Sequence, residues 1–168
     1  MTAFYAIMAL VALQRLAELL LATRNTRLLK AEGAIETGAR HYPLFILLHA
    51  SWLLAILLTT PADAKVNWWI LLAFVLLQLG RVWVIATLGR FWTTHIISVP
   101  GVPLIKKGPY RFFSHPNYII VTGEIALLPL VFSNWQVALV WSVFNALLLA
   151  WRIDMEDTAL AERKKHGE

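Results

Sequence analysis

The stretch that decides the fold is WWILLAFVLLQLGRVWVIATL, residues 68 to 88. An α-helix crosses a bilayer core with roughly 20 mostly apolar residues, and this segment has that length and a single charge. The whole chain is similar, since 59% of its 168 residues are hydrophobic and 15% are charged. This composition is more apolar than that of a soluble domain of the same size. The sequence therefore predicts an integral membrane protein.

Four further apolar runs predict an all-α protein with about five transmembrane helices. These runs cover residues 2–23, 44–60, 118–132 and 135–151. The run 118–132 is short and contains Pro129, and only Ser133-Asn134 separates it from the next, so the last two helices are expected to form a tight hairpin. We find no internal repeat or flexible linker, which favours a single membrane-embedded domain over residues 1–168.

The first run is interpreted as a membrane helix rather than a signal peptide. It contains Gln14, Arg15 and Glu18, and no small-residue cleavage site follows it. Arg15 and Glu18 are three residues apart and share a helix face, and a charge buried within a membrane needs a partner. Both side chains are therefore expected to face the helix bundle.

The basic residues are distributed asymmetrically along the chain. Twelve of the fifteen fall in the segments 24–43, 89–117 and 152–165, whereas the loop 61–67 has only Lys65. Five alternating helices place these three segments on one face, which predicts a bacterial inner-membrane protein with its N-terminus outside and its C-terminus in the cytoplasm. The net charge of +5 then reflects this asymmetry and attraction to anionic lipid, so nucleic acid is not an expected partner.

The absence of cysteine narrows the possible chemistry. It excludes disulfides, thiolate metal sites and cysteine nucleophiles. No two histidines have short ligand spacing beside a carboxylate cluster, so no metal is expected. Histidine, carboxylate, arginine and tyrosine side chains or a cofactor are left to carry the reaction.

The segment 89–117 is predicted to be a stiff loop on the cytoplasmic side. Prolines at 100, 103, 109 and 116 and glycines at 101 and 108 prevent a continuous helix, and aromatic residues are interspersed among them. Such a loop can hold a ligand, or it can simply form an aromatic belt at the headgroup level of the membrane. His115 and His95 are candidates for hydrogen bonds to a ligand, because imidazole donates or accepts near neutral pH.

Arg152 and Glu156 follow the last apolar run. Residues four apart on a helix project from one face, so the two side chains present one cation and one anion together. Such a pair can clamp a zwitterion, or it can be a plain surface salt bridge of little energetic value.

Two stretches, Gly108-Pro-Tyr-Arg-Phe-Phe-Ser-His-Pro-Asn-Tyr118 and Arg152-Ile-Asp-Met-Glu156-Asp, flank the predicted hairpin. Together they resemble the C-terminal signature of the isoprenylcysteine carboxyl methyltransferase family, whose members are multi-span enzymes that use S-adenosylmethionine. The resemblance covers residues 93–160. Upstream, Arg-Leu-Ala-Glu at 15–18, Gly-Ala-Ile-Glu at 33–36 and His-Tyr-Pro at 41–43 resemble small bacterial members, some of which are thought to O-methylate alkylpyrones or alkylresorcinols.

The resemblance implies roles for individual residues. Glu156 matches the acidic residue that holds the cofactor, and Arg152 matches the arginine that faces the acceptor. The remaining implied cofactor contacts are Ser98, Val102, Pro103, Leu104, Ile105, Tyr110, His115, Pro116, Asn117 and Tyr118. Two positions depart from the family pattern, since Ser114 replaces an arginine and Asp157 replaces a glutamate.

The predicted function is S-adenosylmethionine-dependent methyl transfer to a lipophilic or lipidated acceptor in the bilayer. The acceptor group is expected to be a prenylcysteine-like carboxylate or the hydroxyl of an alkylpyrone or alkylresorcinol. One alternative is N-methylation of an ethanolamine phospholipid, as in related enzymes. Another is a non-catalytic scaffold or small transporter, for which the polar and ionisable residues within the spans would matter: Arg15, Glu18, Gln78, Arg81 and Glu124.

Overall fold

The structure, a computed structural model, describes residues 3–37, 42–103 and 105–165, and the side chains as far as Glu156. Within these ranges, seven helices and strands follow one another. They are α1 (Ala3–Ala31), β1 (Ile35–Thr37), α2 (Tyr42–Thr59), α3 (Trp68–Leu88), β2 (Ile96–Ser98), α4 (Pro116–Val131) and α5 (Trp135–Lys165), with short 3₁₀ turns at Gly89–Phe91 and Gly108–Arg111.

The helices have the length and the surface of membrane spans. Within the described ranges, α1, α2, α3 and α5 are each long and apolar enough to cross a bilayer, and α4 is a shorter apolar helix. Large apolar side chains cover the outside of the bundle, as Leu58 and Leu147 illustrate with exposures of 74% and 65%. A surface of this kind is stable only against lipid. The predicted all-α integral membrane protein is confirmed.

Two helices extend beyond their predicted ends. Helix α3 has the predicted bounds, but α1 ends at Ala31 instead of residue 23, and α5 ends at Lys165 instead of residue 151. Apolar runs mark where a helix leaves the hydrocarbon, whereas the helix itself continues until a residue breaks it. For α1 that residue is Gly33, which has a φ of +89° that side chains rarely adopt.

The chain runs back and forth across the bundle, as the short hairpin of α4 and α5 shows. The amide of Asn67 donates to the carbonyl of Val131 at 2.8 Å, and Nδ2 of Asn134 donates to Oγ1 of Thr60 at 3.0 Å. The α2–α3 loop and the α4–α5 turn therefore lie together, at what we call the turn end. The segments 32–37 and 89–115 lie at the opposite, loop end, so α4 traverses the bundle although it is short.

A two-stranded antiparallel ribbon joins the two segments of the loop end. Strand β1 pairs with β2 so that Ile35 faces Ser98 and Thr37 faces Ile96. This ribbon was not predicted, because strands of three residues are too short to show an alternating pattern. Its consequence is that Glu36 is held beside the loop that follows α3.

The interior of the bundle is layered from one end to the other. An apolar cluster that includes Phe4, Trp52 and Ile125 fills the turn end, and a smaller one that includes Ala22 and Val84 lies nearer the loop end. Buried polar side chains occupy the level between them. The candidate site lies beyond the smaller cluster, at the loop end.

Candidate active site

Tyr118, in the first turn of α4, joins Arg152 and Glu156 into one polar cluster. Nε of Arg152 donates to the Tyr118 hydroxyl at 2.8 Å, and that hydroxyl in turn donates to Oε2 of Glu156. The guanidinium also lies over the Phe45 ring, with its carbon 5.0 Å from the ring centroid. Arg152 and Glu156 are one turn apart on α5, so the expected opposite charges do share a face.

His115 and its neighbours place the start of α4 against this cluster. His115 precedes the first helical residue, Pro116, whose fixed φ suits that position. The imidazole stacks on the Tyr118 ring at 5.1 Å, and Nδ1 lies 3.9 Å from Oε2 of Glu156. Asn117 points another way, since its Oδ1 is 3.4 Å from Nη1 of Arg81. The structure thus brings His115, Tyr118 and Glu156 together and directs Asn117 towards the bundle interior.

Tyr110 approaches the cluster from the second 3₁₀ turn. Its ring packs against the apolar cluster near the loop end. Burial, and to a smaller degree the charge of Glu156, raises the pKa of Tyr110 to about 12, so its phenol stays protonated at neutral pH. The turn is seated closely on α3, because a Cβ on Gly108 would lie 2.5 Å from Oγ1 of Thr87.

The other predicted cofactor contacts lie farther along the loop. Ser98 ends β2, Val102 and Ile105 are half-buried, and Pro103 is exposed. Within the part of the chain that the structure describes, no hydrogen bond or ion pair connects these four residues with Tyr118 or Glu156. Leu104 lies outside the described residues.

A second polar group lines a cleft beside Arg152, and the sequence had singled out only its His95 as a candidate ligand contact. The cleft is open, and the empty space within and in front of it is about 240 Å³. Nδ1 of His95 lies 2.6 Å from Oε1 of Glu36, whose other oxygen pairs with Lys30. Nη2 of Arg152 donates to the carbonyl of Thr94 at 2.8 Å. Because Thr94 directly precedes His95, this bond holds the guanidinium close to the backbone beside His95. The remaining lining is largely apolar or aromatic and includes Tyr42, Phe45 and Met155.

The Glu36 carboxylate is held in its ionised form. Burial alone would raise its pKa, but the hydrogen bonds and charges of Lys30 and His95 outweigh burial and hold the pKa below the usual 4.5. Sequence reasoning assigned no role to Glu36 or Tyr42, although both stand in motifs at 33–36 and 41–43. The ribbon, which pairs residues some 60 positions apart, brings Glu36 to His95, whereas Tyr42 reaches His95 from the start of α2.

A closed ionic network occupies the middle level of the bundle. Nε of Arg81 donates to Oε1 of Glu124 at 2.9 Å, and Arg81 makes a second contact with Oε2. Arg15 bridges Glu18 at 2.7 Å and Glu124 at 2.8 Å, while Gln78 donates to Glu124 at 2.8 Å. The expectation that Arg15 and Glu18 face the bundle is met. The network contains two cations and two anions and therefore has no net charge. It connects α1, α3 and α4.

Comparison with known proteins decides the family. The model of the isoprenylcysteine carboxyl methyltransferase family matches residues 69–162, from α3 to the end of the bundle. The chain belongs to this family. It is also 41% identical to the uncharacterized protein YpbQ of Bacillus subtilis, over 95% of this chain and 97% of that one. An uncharacterized protein of Haemophilus influenzae is 27% identical over 88% of each chain. No solved structure matches the chain at a comparable level of significance.

Membership of the isoprenylcysteine carboxyl methyltransferase family makes the chain a membrane methyltransferase of that type. The family match includes His95, Tyr118, Arg152 and Glu156, whereas Glu36 lies upstream of it. The Arg152 cluster is thus built within the family region. The carboxylate partner of His95 comes from the N-terminal part of the chain.

Proposed function

We propose that the protein transfers a methyl group from S-adenosylmethionine to oxygen of a lipophilic acceptor at the cytoplasmic face of the membrane. The observation that carries this proposal is the cluster of Arg152, Tyr118 and Glu156. It sets one cation and one anion side by side at the end of an otherwise apolar bundle. A polar cofactor and a lipid-tailed acceptor can meet only at such a boundary.

The residues of the cluster suit the chemistry of this cofactor. The Glu156 carboxylate is the group that would pair with the cofactor's ammonium, and the stacked rings of His115 and Tyr118 offer aromatic faces to a cation. Tyr110, the 115–118 segment and the loop from Ser98 to Ile105 would complete the binding surface. When bound, S-adenosylmethionine supplies a methyl group activated by a sulfonium.

We assign to Arg152 the role of binding the methyl acceptor. Its Nε and Nη2 are engaged by Tyr118 and Thr94, and within the described residues Nη1 makes no hydrogen bond, so one edge of the guanidinium is available to an anionic oxygen. Methyl transfer is an in-line displacement, in which positioning and exclusion of water do most of the work. A lipid-tailed acceptor would enter between the helices and present its head group to this edge.

Replacing Glu156 by glutamine tests the cofactor assignment. We expect the wild-type protein in detergent to bind S-adenosylmethionine with about micromolar affinity, and Glu156→Gln to bind at least tenfold more weakly, a loss of about 1.4 kcal/mol. Glutamine keeps an oxygen that accepts from Tyr118, so the variant removes the charge and preserves the shape. Isothermal titration calorimetry measures both affinities.

The matched control is Asp154→Asn, which removes an exposed carboxylate two residues away on the same helix and should leave the affinity unchanged. A folded wild-type protein that binds no S-adenosylmethionine would overturn the cofactor assignment. Equal affinities for wild type and Glu156→Gln would move the ammonium contact to another residue.

The orientation of the protein in the membrane can be tested by labelling its two ends. Basic residues concentrate at the loop end and in the tail, so we expect that end in the cytoplasm. A cysteine introduced at Asp63, at the turn end, should react with a membrane-impermeant maleimide added outside intact cells. A reporter fused after Glu168 should be active in the cytoplasm. Detection of both positions from the same side would contradict the orientation and the five traversals.

A further inference from the structure

His95 and Glu36 have the geometry of a carboxylate-oriented base. The distance of 2.6 Å between Nδ1 of His95 and Oε1 of Glu36 fits an N–H that donates to an ionised carboxylate. A neutral imidazole that donates through Nδ1 has its other nitrogen, Nε2, as an acceptor. Within the described residues Nε2 has no hydrogen-bond partner. An oriented imidazole of this kind is the usual form of a general base.

Neighbouring residues fix the orientation of the His95 ring. It lies against the Tyr42 ring, with centroids 3.8 Å apart, and the Tyr42 hydroxyl accepts from Oγ1 of Thr94 at 2.9 Å. Lys30 holds the second oxygen of Glu36. The charged or titratable side chains around the pair are thus Lys30 from α1, Tyr42 from α2 and Arg152 from α5.

The His95–Glu36 pair lies in the cleft where an acceptor held by Arg152 would bind. Glu36, His95 and Arg152 line the same cleft, which is otherwise largely apolar or aromatic. His95 is 21% exposed at its side chain, enough to be reached by a ligand. An acceptor oxygen held by Arg152 would therefore lie in the same small space as the imidazole.

The two classes of acceptor, carboxylates and phenols, differ in whether they need a base. A carboxylate is already ionised at neutral pH and attacks a methyl group without help. A phenol has a pKa of about 10, so at neutral pH all but about one part in a thousand carries its proton. A general base that removes such a proton typically raises the rate by about 10² to 10⁴.

We propose that His95 is the general base of the reaction and that Glu36 positions it, which favours a lipophilic phenol, protonated at neutral pH, over a carboxylate as the acceptor. This proposal rests on the proposed methyltransferase function. The hydroxyl proton moves to Nε2 of His95 as the oxygen bonds to the methyl carbon. The methyl–sulfur bond breaks with its electron pair remaining on sulfur. The imidazolium, next to the Glu36 carboxylate, then returns its proton to water.

A different role for the pair would be to tie β1 to β2. That role predicts the same loss of activity for every acceptor, because a loosened ribbon harms them all alike. A general base predicts a loss that depends on the acidity of the acceptor. The two roles are therefore separated by varying the acceptor rather than the protein alone.

The experiment compares wild type with His95→Gln and Glu36→Gln on three probes in detergent. The probes are a long-chain alkylphenol, the same alkylphenol with a nitro group, assayed above its own pKa, and an N-acetyl S-prenylcysteine. Glutamine at position 95 keeps an N–H for Glu36 but has no basic nitrogen. We expect kcat of His95→Gln on the alkylphenol to fall at least 100-fold, with a loss of under about fivefold on the ionised nitrophenol.

Glu36→Gln should give a smaller loss with the same dependence on acceptor acidity, and it should alter kcat more than KM. A readout without turnover uses S-adenosylhomocysteine in place of the methyl donor. At a pH below the nitrophenol's own pKa, wild type should then bind it with a larger visible phenolate absorbance than His95→Gln does. Equal absorbance for the two proteins would contradict proton transfer to His95.

The outcomes separate this proposal from the one on which it rests. Equal losses on the alkylphenol and the nitrophenol would overturn the base assignment. Methylation of the prenylcysteine alone, or of no probe by a protein that binds S-adenosylmethionine, would overturn the acceptor class while leaving cofactor use intact. A folded wild type that binds no S-adenosylmethionine would remove the proposed function itself.

Discussion

Glu124→Ala is expected to lower the free energy of unfolding by about 3–5 kcal/mol, the usual cost of leaving one partner of a buried ion pair alone. Glu124 is 3% exposed and accepts hydrogen bonds from Arg15, Gln78 and Arg81. Arg81 is itself 3% exposed, and without Glu124 it would keep, within the described residues, two contacts of 3.4 Å, to Glu18 and Asn117. Unfolding in mixed detergent micelles with increasing dodecyl sulfate measures the change.

The double variant Arg81→Met with Glu124→Leu is the matched control. It removes one charge of each sign, so the network stays neutral and the pair of Arg15 with Glu18 remains. Apolar side chains of similar volume often replace a buried ion pair at little cost, and we expect the double variant to recover most of the stability lost in Glu124→Ala. A single variant within about 1 kcal/mol of wild type would mean that the network contributes little to stability.

The membrane architecture was predictable because the bilayer imposes a length and a composition on each span. Helix α3 has the predicted bounds for this reason, and Arg15 and Glu18 face the bundle because hydrocarbon does not tolerate an unpaired charge. The ends of α1 and α5 were not predictable from hydropathy. Their last turns leave the apolar run, where helix-forming residues and the position of the next breaking residue set the boundary.

The candidate site was predictable only in part. Arg152 and Glu156 are neighbours by helix geometry alone, so their shared face followed from their spacing. That Tyr118 joins them through its hydroxyl depends on the packing of α4 against α5, which no local pattern encodes. The approach of Glu36 to His95 depends on a pairing between distant three-residue strands.

The structure also indicates which arginine can bind the acceptor, since Arg81, Arg111 and Arg152 have different surroundings. Arg81 lies deep in the bundle, where Nε and Nη2 contact Glu124 and Nη1 lies 3.4 Å from Glu18 and Asn117. Arg111 is exposed on the second 3₁₀ turn, where its charged group lies near the Phe112 ring. Arg152 alone among these three lines the cleft.

Arg152→Lys is expected to retain cofactor binding and to lose about two orders of magnitude in turnover, a barrier rise on the order of 3 kcal/mol. Arginine makes two contacts of 2.8 Å, to Tyr118 and Thr94, and still presents a third edge. A lysine ammonium is a single point that cannot reproduce this fork, so the acceptor would lose its alignment with the methyl group. Calorimetry and turnover measured on the same preparations separate binding from rate.

Arg90→Lys is the matched control, because Arg90 makes an exposed ion pair with Glu32 at the same end of the bundle and should be nearly neutral. Full turnover in Arg152→Lys would show that charge alone is required of this residue. If Arg152→Lys lost as much cofactor affinity as Glu156→Gln, both side chains would serve the cofactor. The acceptor oxygen would then have to be held elsewhere at the loop end, and Arg111 is the exposed cation that the same assay would test next.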